Sequence, residues 1–442
     1  MLTWKMKIIQ GVAFGAANIV QIVPLVIFTV LFRNQNVLDY APYILFYTGT
    51  KTGLIFVNGM GKVGNPYQLL KYSILVYILS LMIIGIFPVL PVDNLMSFVM
   101  GMGASVILPA YQTIYYKERV LWSWNIGSVE ILSMFMYIGL LALFLLLPST
   151  QYHQMVYFSL AVFICLFGWV INMFPETVKN GASSSILPDT QSQNDIILFC
   201  ILVLFLFSIR LLRFFNNSIS FYGFLISFVL FLVFFTIINV KKQLKIDFPL
   251  SLVEVSILNG GYEAFLMVYL FSLNVNHVNI VLAYTVYGAG IAAAQFLRKV
   301  VSHLFRNISE LKQQLLFFVI GSWLLFFPST ILIGTFIIGY VGSANSILLN
   351  HAYFFAPVDI LEDRLIVKYR NTYLGSILLQ LIWGLFLFTS SLIIKHDLIV
   401  LAINNRAIQR GNIMTALFLS LTTIVLGMIL PSLNERKLFV KL

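Results

Sequence analysis

Fourteen stretches of roughly twenty apolar residues, divided by short polar breaks, decide what this chain can fold into. They lie near 8–32, 41–59, 72–90, 95–116, 124–147, 155–174, 196–214, 219–240, 249–272, 278–297, 314–328, 331–356, 372–394 and 412–431. A hydrocarbon core of about 30 Å is crossed by about 20 residues of α-helix. Lipid offers no hydrogen bonds, so a crossing backbone must pair its own N–H and C=O groups, and a helix does this within one segment. The eleventh and twelfth runs are parted only by Pro328-Ser329-Thr330. Of the 442 residues, 60% are apolar and 10% charged, whereas soluble domains carry about 25% charged residues. A soluble multidomain enzyme is excluded. The expected fold is an all-α polytopic membrane protein with both termini on one side because the number of spans is even, the cytoplasmic side by the placement of Lys and Arg.

The net charge of +11 is explained by where the cations fall. With the N-terminus cytoplasmic, twenty Lys and Arg residues between Lys5 and Lys441 lie in inner loops and tails, Lys368 among them. Only Arg33, Arg210, Arg213, Lys395, Arg406 and Arg410 lie outside. This is the positive-inside asymmetry. The basic loops are too short to offer nucleic acid a surface, and anionic headgroups account for the charge, so membrane lipids are the expected partners. Cys165 and Cys200 both sit inside apolar runs, which argues against a disulfide or a thiolate metal site. The first run is followed by no small-residue cleavage pattern and reads as a retained span. A multi-pass protein of the plasma membrane is expected. The polar stretch 175–194, PETVKNGASSSILPDTQSQN, reads as a cytoplasmic linker.

Two segments recur. Tyr47-Thr48-Gly49-Thr50-Lys51-Thr52-Gly53-Leu54 in span two aligns with Tyr284-Thr285-Val286-Tyr287-Gly288-Ala289-Gly290-Ile291 in span ten, an offset of 237. GASVILPAYQTIYY from Gly103 in span four aligns with GSANSILLNHAYFF from Gly342 in span twelve, an offset of 239. Nearly equal offsets at corresponding helices imply an internal duplication, a common plan in transporters. The expected organisation is a six-helix bundle over 1–174, the linker 175–194, an inserted two-helix pair over 195–248 and a second six-helix bundle over 249–442.

In this layout the chain resembles the major facilitator superfamily in its 14-span form, of which the drug:proton antiporters are the best-known subgroup. The resemblance is carried by Gly101-Met102-Gly103-Ala104 through Pro109 to Lys117-Glu118-Arg119, and by Phe174-Pro175-Glu176-Thr177 after span six. The loop Gly59-Met60-Gly61-Lys62-Val63-Gly64 looks like a worn copy of the family's Gly-x-x-x-Asp-Arg-x-Gly-Arg-Arg loop without its Asp and Arg. The antiporters' acid in span one and Gly-Pro motif in span five are both missing here. The resemblance therefore implies the fold and alternating access more firmly than drug export. It also implies that span nine, first of the second bundle, is broken and binds substrate.

A charge near the bilayer centre costs at least about 2.5–3.5 kcal/mol, so each intramembrane ionisable residue needs a role or a partner. Lys51 in span two and Glu130 in span five lie at similar depth with opposite sign, which suits a structural ion pair or a coupling site; Lys51 alone has the option of snorkelling. Glu263 lies deep in span nine, directly behind Asn259-Gly260-Gly261-Tyr262. Adjacent glycines weaken a helix and let backbone groups line a cavity. Glu263 and Tyr262 are thus candidates for proton or substrate binding, the alternative being a protonated glutamic acid hydrogen-bonded to a neighbouring helix. A second set pairs Tyr111 and Gln112 in span four with their repeat counterparts Asn350 and His351 in span twelve, with Asn345 and Ser346 one or two turns away. These are expected at a shared cavity, where His351 either titrates near neutral pH or is merely hydrogen-bonded. Asn18 and Gln21 are the polar amides from Gly11 to Phe32 of the acid-free first span. Tyr115 and Tyr116 read as interface-belt aromatics and Glu254 as interfacial.

Enzymatic signatures are missing. No Gly-Lys-Ser/Thr phosphate loop, HExxH zinc motif or Gly-x-Ser-x-Gly elbow occurs, and the five histidines show no ligand spacing. No catalytic role, metal or cofactor is expected. The residues point to a monomeric secondary active transporter of a small organic or amphiphilic substrate, working by alternating access. It would be proton-coupled through Glu263, with Glu130 as second choice. Two alternatives stay open. A lipid or lipid-linked glycan flippase would be built as seven plus seven spans, with a repeat near half the chain length. A non-transporting membrane sensor would leave Glu263 replaceable.

Overall fold

The computed structural model describes residues 4–31, 41–122, 127, 129, 131–133, 135–136, 139, 153–174, 176–180, 193–214, 218–240, 248–272, 280–325, 327, 329–356 and 361–394. Among them lie α1 (Trp4–Ile19), α2 (Ile22–Leu31), α3 (Ala41–Met60), α4 (Pro66–Ile86), α5 (Leu90–Trp122), α6 (His153–Asn172), α7 (Glu176–Lys179), α8 (Gln193–Phe214), α9 (Ser218–Val240), α10 (Leu250–Ser272), α11 (Ile280–Leu304), α12 (Glu310–Leu325), α13 (Ile331–Phe354) and α14 (Arg364–Ile394). Twelve of the predicted spans coincide with these helices, α1 and α2 together filling the first. The fourteenth span, 412–431, and all but isolated positions of the fifth lie outside the described residues. The turn between spans eleven and twelve is real: Thr330 ends it, its Oγ1 donating to the Leu324 carbonyl at 2.7 Å.

The surface is apolar where a soluble protein would be polar. Tyr72, Leu75, Val76, Leu79, Met82 and Ile86 form an exposed stripe along α4, and Val162, Leu166 and Trp169 another along α6. Spacings of three and four residues put each set on one helical face, the face turned to hydrocarbon. Three described segments, Pro66–Ile86, Leu90–Val120 and Ile331–Phe354, are long and apolar enough to cross a membrane on length and composition alone. The interior holds the polar groups. Thr48, Thr50 and Thr52 are buried in α3, each hydroxyl donating to the carbonyl four residues back at 2.8 Å. Such back-bonding satisfies a hydroxyl inside an apolar bundle.

The described residues group into two compact units, one comprising Met1–Arg210, Leu225–Phe234 and Asp359–Val367, the other Leu211–Phe224, Phe235–Val358 and Lys368–Leu442. In the first unit α3 crosses α5 so closely that a Cβ on Gly49 would strike the Phe98 carbonyl oxygen and one on Gly101 the Phe46 carbonyl oxygen. In the second, α11 crosses α13 in the same way: a Cβ on Gly290 would strike the Phe336 carbonyl oxygen, and one on Gly339 would lie 2.5 Å from that of Tyr287. The crossings equate Gly49 with Gly290 and Gly101 with Gly339, offsets of 241 and 238. The repeat is thus visible as geometry, but the sequence alignment of span two was one helical turn out of register, and that of span four one residue out. Backbone contact through glycine, not side-chain identity, is what the two copies share.

Two further expectations are corrected. The first span is broken, with a turn at Val20–Gln21 between α1 and α2. Span nine is not: α10 runs unbroken through Gly260-Gly261. Gly260 serves a helix crossing instead, since a Cβ there would collide with the Thr372 carbonyl oxygen on α14, and one on Gly375 with that of Ile257. Ser376 Oγ fastens the same crossing by donating to the Gly260 carbonyl at 2.8 Å.

The α3–α4 loop and the segment before α14 meet within the first unit. Gly61 has φ 146°, a conformation open to glycine, and Asn65 caps α4 by accepting from the Gln68 N–H at 3.1 Å. Asp363 accepts from the Val63 N–H at 3.1 Å, and Glu362 pairs with Lys117 of α5 at 2.8 Å. An acid three hundred residues later in the chain thus binds the backbone of this glycine-rich loop. The first helix of the expected insert, α8, docks on the end of α3, where Asn58 Nδ2 donates to Asp195 Oδ2 at 2.7 Å.

Candidate functional site

The polar groups of the second unit gather where α10, α13 and α14 meet. On α13, Gly342, Ser346 and Asn350 fall one turn apart on one face, bordered by Asn345. A Cβ on Gly342 would meet Glu263 Cγ at 3.7 Å, an ordinary contact, which sets the glutamate stem of α10 against this face of α13. Glu263 Oε1 accepts from Asn259 Nδ2 at 3.3 Å, one turn earlier on the same helix. From α14, Lys368 enters the cluster completely buried. Its Nζ donates to Ser346 Oγ at 2.6 Å and lies 3.9 Å from the centroid of the Tyr369 ring. The Glu263 carboxylate acts electrostatically on Lys368, and the side chains of Asn350 and Ser346 hydrogen-bond Tyr369.

Beside it lies a second network. Tyr353 Oη accepts from Ser256 Oγ and from Asn371 Nδ2, each at 3.2 Å, and approaches the Leu252 carbonyl as donor at 3.4 Å. This hydroxyl is saturated, and its network joins the three helices into one block. The cluster around Lys368 differs: both amide atoms of Asn345, Asn350 Oδ1 and Asn259 Oδ1 are buried with no hydrogen-bond partner among the described residues. Buried polar atoms are ordinarily paired, so these four atoms stand out as unused hydrogen-bonding capacity among the described residues.

The first unit holds a smaller polar site. Gln10 Nε2 donates to Glu118 Oε2 at 2.7 Å, both residues being buried, and the Tyr111 hydroxyl approaches the Gln10 carbonyl at 3.4 Å. Tyr111 packs against Phe14, Tyr115 and Phe167. Tyr115 and Tyr116 are thus core residues of this unit and not a belt at the membrane interface.

Of the residues singled out from sequence, Glu263, Asn345 and Asn350 share the second-unit cluster. His351, next in chain, is exposed with its ring 4.7 Å from that of Phe355, so the helix turns it away from Asn350. Tyr262 belongs to α10, but its side chain, like Glu130, lies outside the described residues. Lys51 is buried in α3 with its Nζ 5.6 Å from the centroid of the Tyr47 ring. Asn18 Nδ2 donates to the Phe14 carbonyl at 2.7 Å, and Gln21 Nε2 to the Ala104 carbonyl of α5 at 3.1 Å, bracing the break in the first span. Gln112 is buried in α5, and Glu254 is exposed.

Sequence reading missed Lys368 and Tyr369 in the second unit and Gln10 and Glu118 in the first. Lys368, assigned to a cytoplasmic loop, lies inside a helix that begins eight residues before the predicted span. The signal was present: Leu365, Lys368, Thr372 and Ser376 recur at helical spacing, and all four are buried. Glu118 likewise continues the face of Tyr111 and Tyr115 beyond the predicted end of span four.

No family model and no curated relative matches the sequence. Solved structures do match in fold along nearly the whole chain. The POT family transporter PepTSo is similar with a TM-score of 0.56 at 10% identity, covering 98% of each chain. The nucleoside transporter NupG gives 0.51 at 8% identity over 97% of this chain and 99% of its own. An auto-inhibited POT family peptide transporter gives 0.51 at 11% identity over 98% and 96%. The chain is an all-α polytopic membrane protein with a major-facilitator-like fold.

Proposed function

We propose that this chain is a secondary active transporter that exposes a small organic solute to each side of the membrane in turn. The observation that carries the reading is the gathering of Lys368, Glu263, Asn345 and Asn350 inside apolar helices. Such residues are costly in a membrane and mark solute or proton paths. The likeness in fold to peptide and nucleoside transporters supports it. In this reading Glu263 carries the coupling proton, a carboxyl held by Asn259 and acting electrostatically on Lys368. A proton crossing 100 mV supplies about 2.3 kcal/mol, enough to concentrate an uncharged solute at most about 50-fold.

The test is uptake by the purified full chain in proteoliposomes under an imposed pH gradient, over a panel led by small peptides and nucleosides. The wild type is expected to accumulate at least one solute above protein-free vesicles. Glu263→Gln is expected to lose gradient-driven accumulation while retaining solute exchange. Equal accumulation by the variant removes the proton role from Glu263. A panel with no solute moved removes transport as the function.

A further inference from the structure

The second-unit cluster has a definite chemical preference. Its strongest donor is Lys368, whose side chain is fully buried and whose Nζ donates to a single hydroxyl, Ser346 Oγ at 2.6 Å, beside the Tyr369 ring face. An ammonium has three donors; here one is given to a hydroxyl and the Glu263 carboxylate acts on the charge electrostatically, so donor capacity is left over. Asn345 is completely buried, and its Nδ2 and Oδ1 both lack a partner among the described residues. Exchanging O and N in that carboxamide changes nothing, because both atoms are orphaned, so an unused amide donor is present in either orientation. Asn350 Oδ1 and Asn259 Oδ1 add unused acceptors. On α13, Ser346 accepts from this lysine, Asn350 hydrogen-bonds Tyr369 beside it, and Asn345 precedes Ser346 in the chain.

We infer that this cluster is a solute subsite for a compact organic anion, a carboxylate or a phosphate. The anion sits on Lys368 Nζ and an Asn345 amide donor. Hydroxyl or amino groups of the same solute are received by the Asn350 and Asn259 carbonyl oxygens. A neutral solute leaves the lysine in its present state and gains only the amides. The proposal rests on the transport reading for its biological meaning, but not for its binding chemistry.

The experiment uses matched pairs that differ only in the anionic group: alanyl-alanine against alanyl-alaninamide, and uridine 5′-monophosphate against uridine. Binding is read as the rise in unfolding temperature of the full chain in detergent, and transport separately as uptake into proteoliposomes. The anionic member of at least one pair is expected to stabilise the wild type, the carboxylate and phosphate arms telling which anion fits. Lys368→Met is expected to weaken that binding by roughly 10-fold to 100-fold, the span of a hydrogen bond to a charged group. Asn345→Leu is expected to weaken it less, and Lys368→Arg to retain part of it. Should Lys368→Met fail to fold, Ser346→Ala, which releases the lysine from its hydroxyl, is expected to change the affinity ratio within the responding pair. Stabilisation by neutral members alone, by no member, or equally in wild type and the Lys368 and Asn345 variants overturns the inference. Uptake of a neutral solute under those conditions leaves the transport reading standing without the anion site. Binding of the anion with no uptake leaves the site standing without transport.

Discussion

Lys117 and Glu362 meet at 2.8 Å with side chains only 15% and 6% exposed, so neither charge is well hydrated when its partner is removed. Breaking a hydrogen bond to a charged group costs roughly 1.5–3 kcal/mol, far more than an exposed pair is worth. Lys117→Glu is expected to lower the unfolding temperature of the detergent-solubilised chain, and Glu362→Lys to do the same. The double exchange should recover at least half of the loss. If the two single losses simply add in the double variant, the pair contributes no coupling energy. At this scale the sequence was readable where a polar residue interrupts an apolar run, as Glu263, Asn345 and Asn350 do. It was harder to read at Lys368 and Glu118, where the helix continues into a charged run. A charge beside other charges looks solvated, and only the continued apolar face through Leu365, Ile366 and Tyr369 says otherwise.

Helix crossings explain both what was legible in the elements and what was not. Paired glycines in spans two, four, ten and twelve announced a repeat, because backbones that touch tolerate no side chain. Their register was hidden, since other glycines and aromatics sit one turn away and align as well. The Gly260-Gly261 pair was open to two physical readings, helix weakening or close packing, and local sequence does not choose between them. The partner on α14 does. This separates variants cleanly. Gly260→Ala and Gly101→Ala force backbones apart, and overpacking of this kind costs about 1–3 kcal/mol or more. Gly288→Ala, whose Cβ meets nothing within 4 Å, should be neutral or gain up to about 1 kcal/mol of helix propensity. Thermal unfolding of the three variants side by side checks the crossing; equal loss at Gly288 would mean that helix propensity, not contact, is being measured.

For the molecule as a whole, the alternation of sides is the property that every span must agree on. One span more or fewer inverts everything after it, which is why the Lys and Arg asymmetry carries weight beyond any single loop. Exposed residues in four described loops or turns test the alternation: Lys62 after α3, Pro88 after α4, Arg306 after α11 and Ser329 after α12. Cys165 and Cys200 are free and exposed, so both are first changed to Ser. Single cysteines at Lys62 and Arg306 are expected to react with a membrane-impermeant maleimide only from the cytoplasmic side, and those at Pro88 and Ser329 only from outside. The first and last pairs of these positions flank residues 124–147, whose run of apolar side chains is the fifth predicted span. If that run crosses, the two pairs agree in polarity. If it does not, Arg306 and Ser329 exchange sides relative to Lys62 and Pro88, and the duplication of two six-span blocks around an inserted pair falls with it.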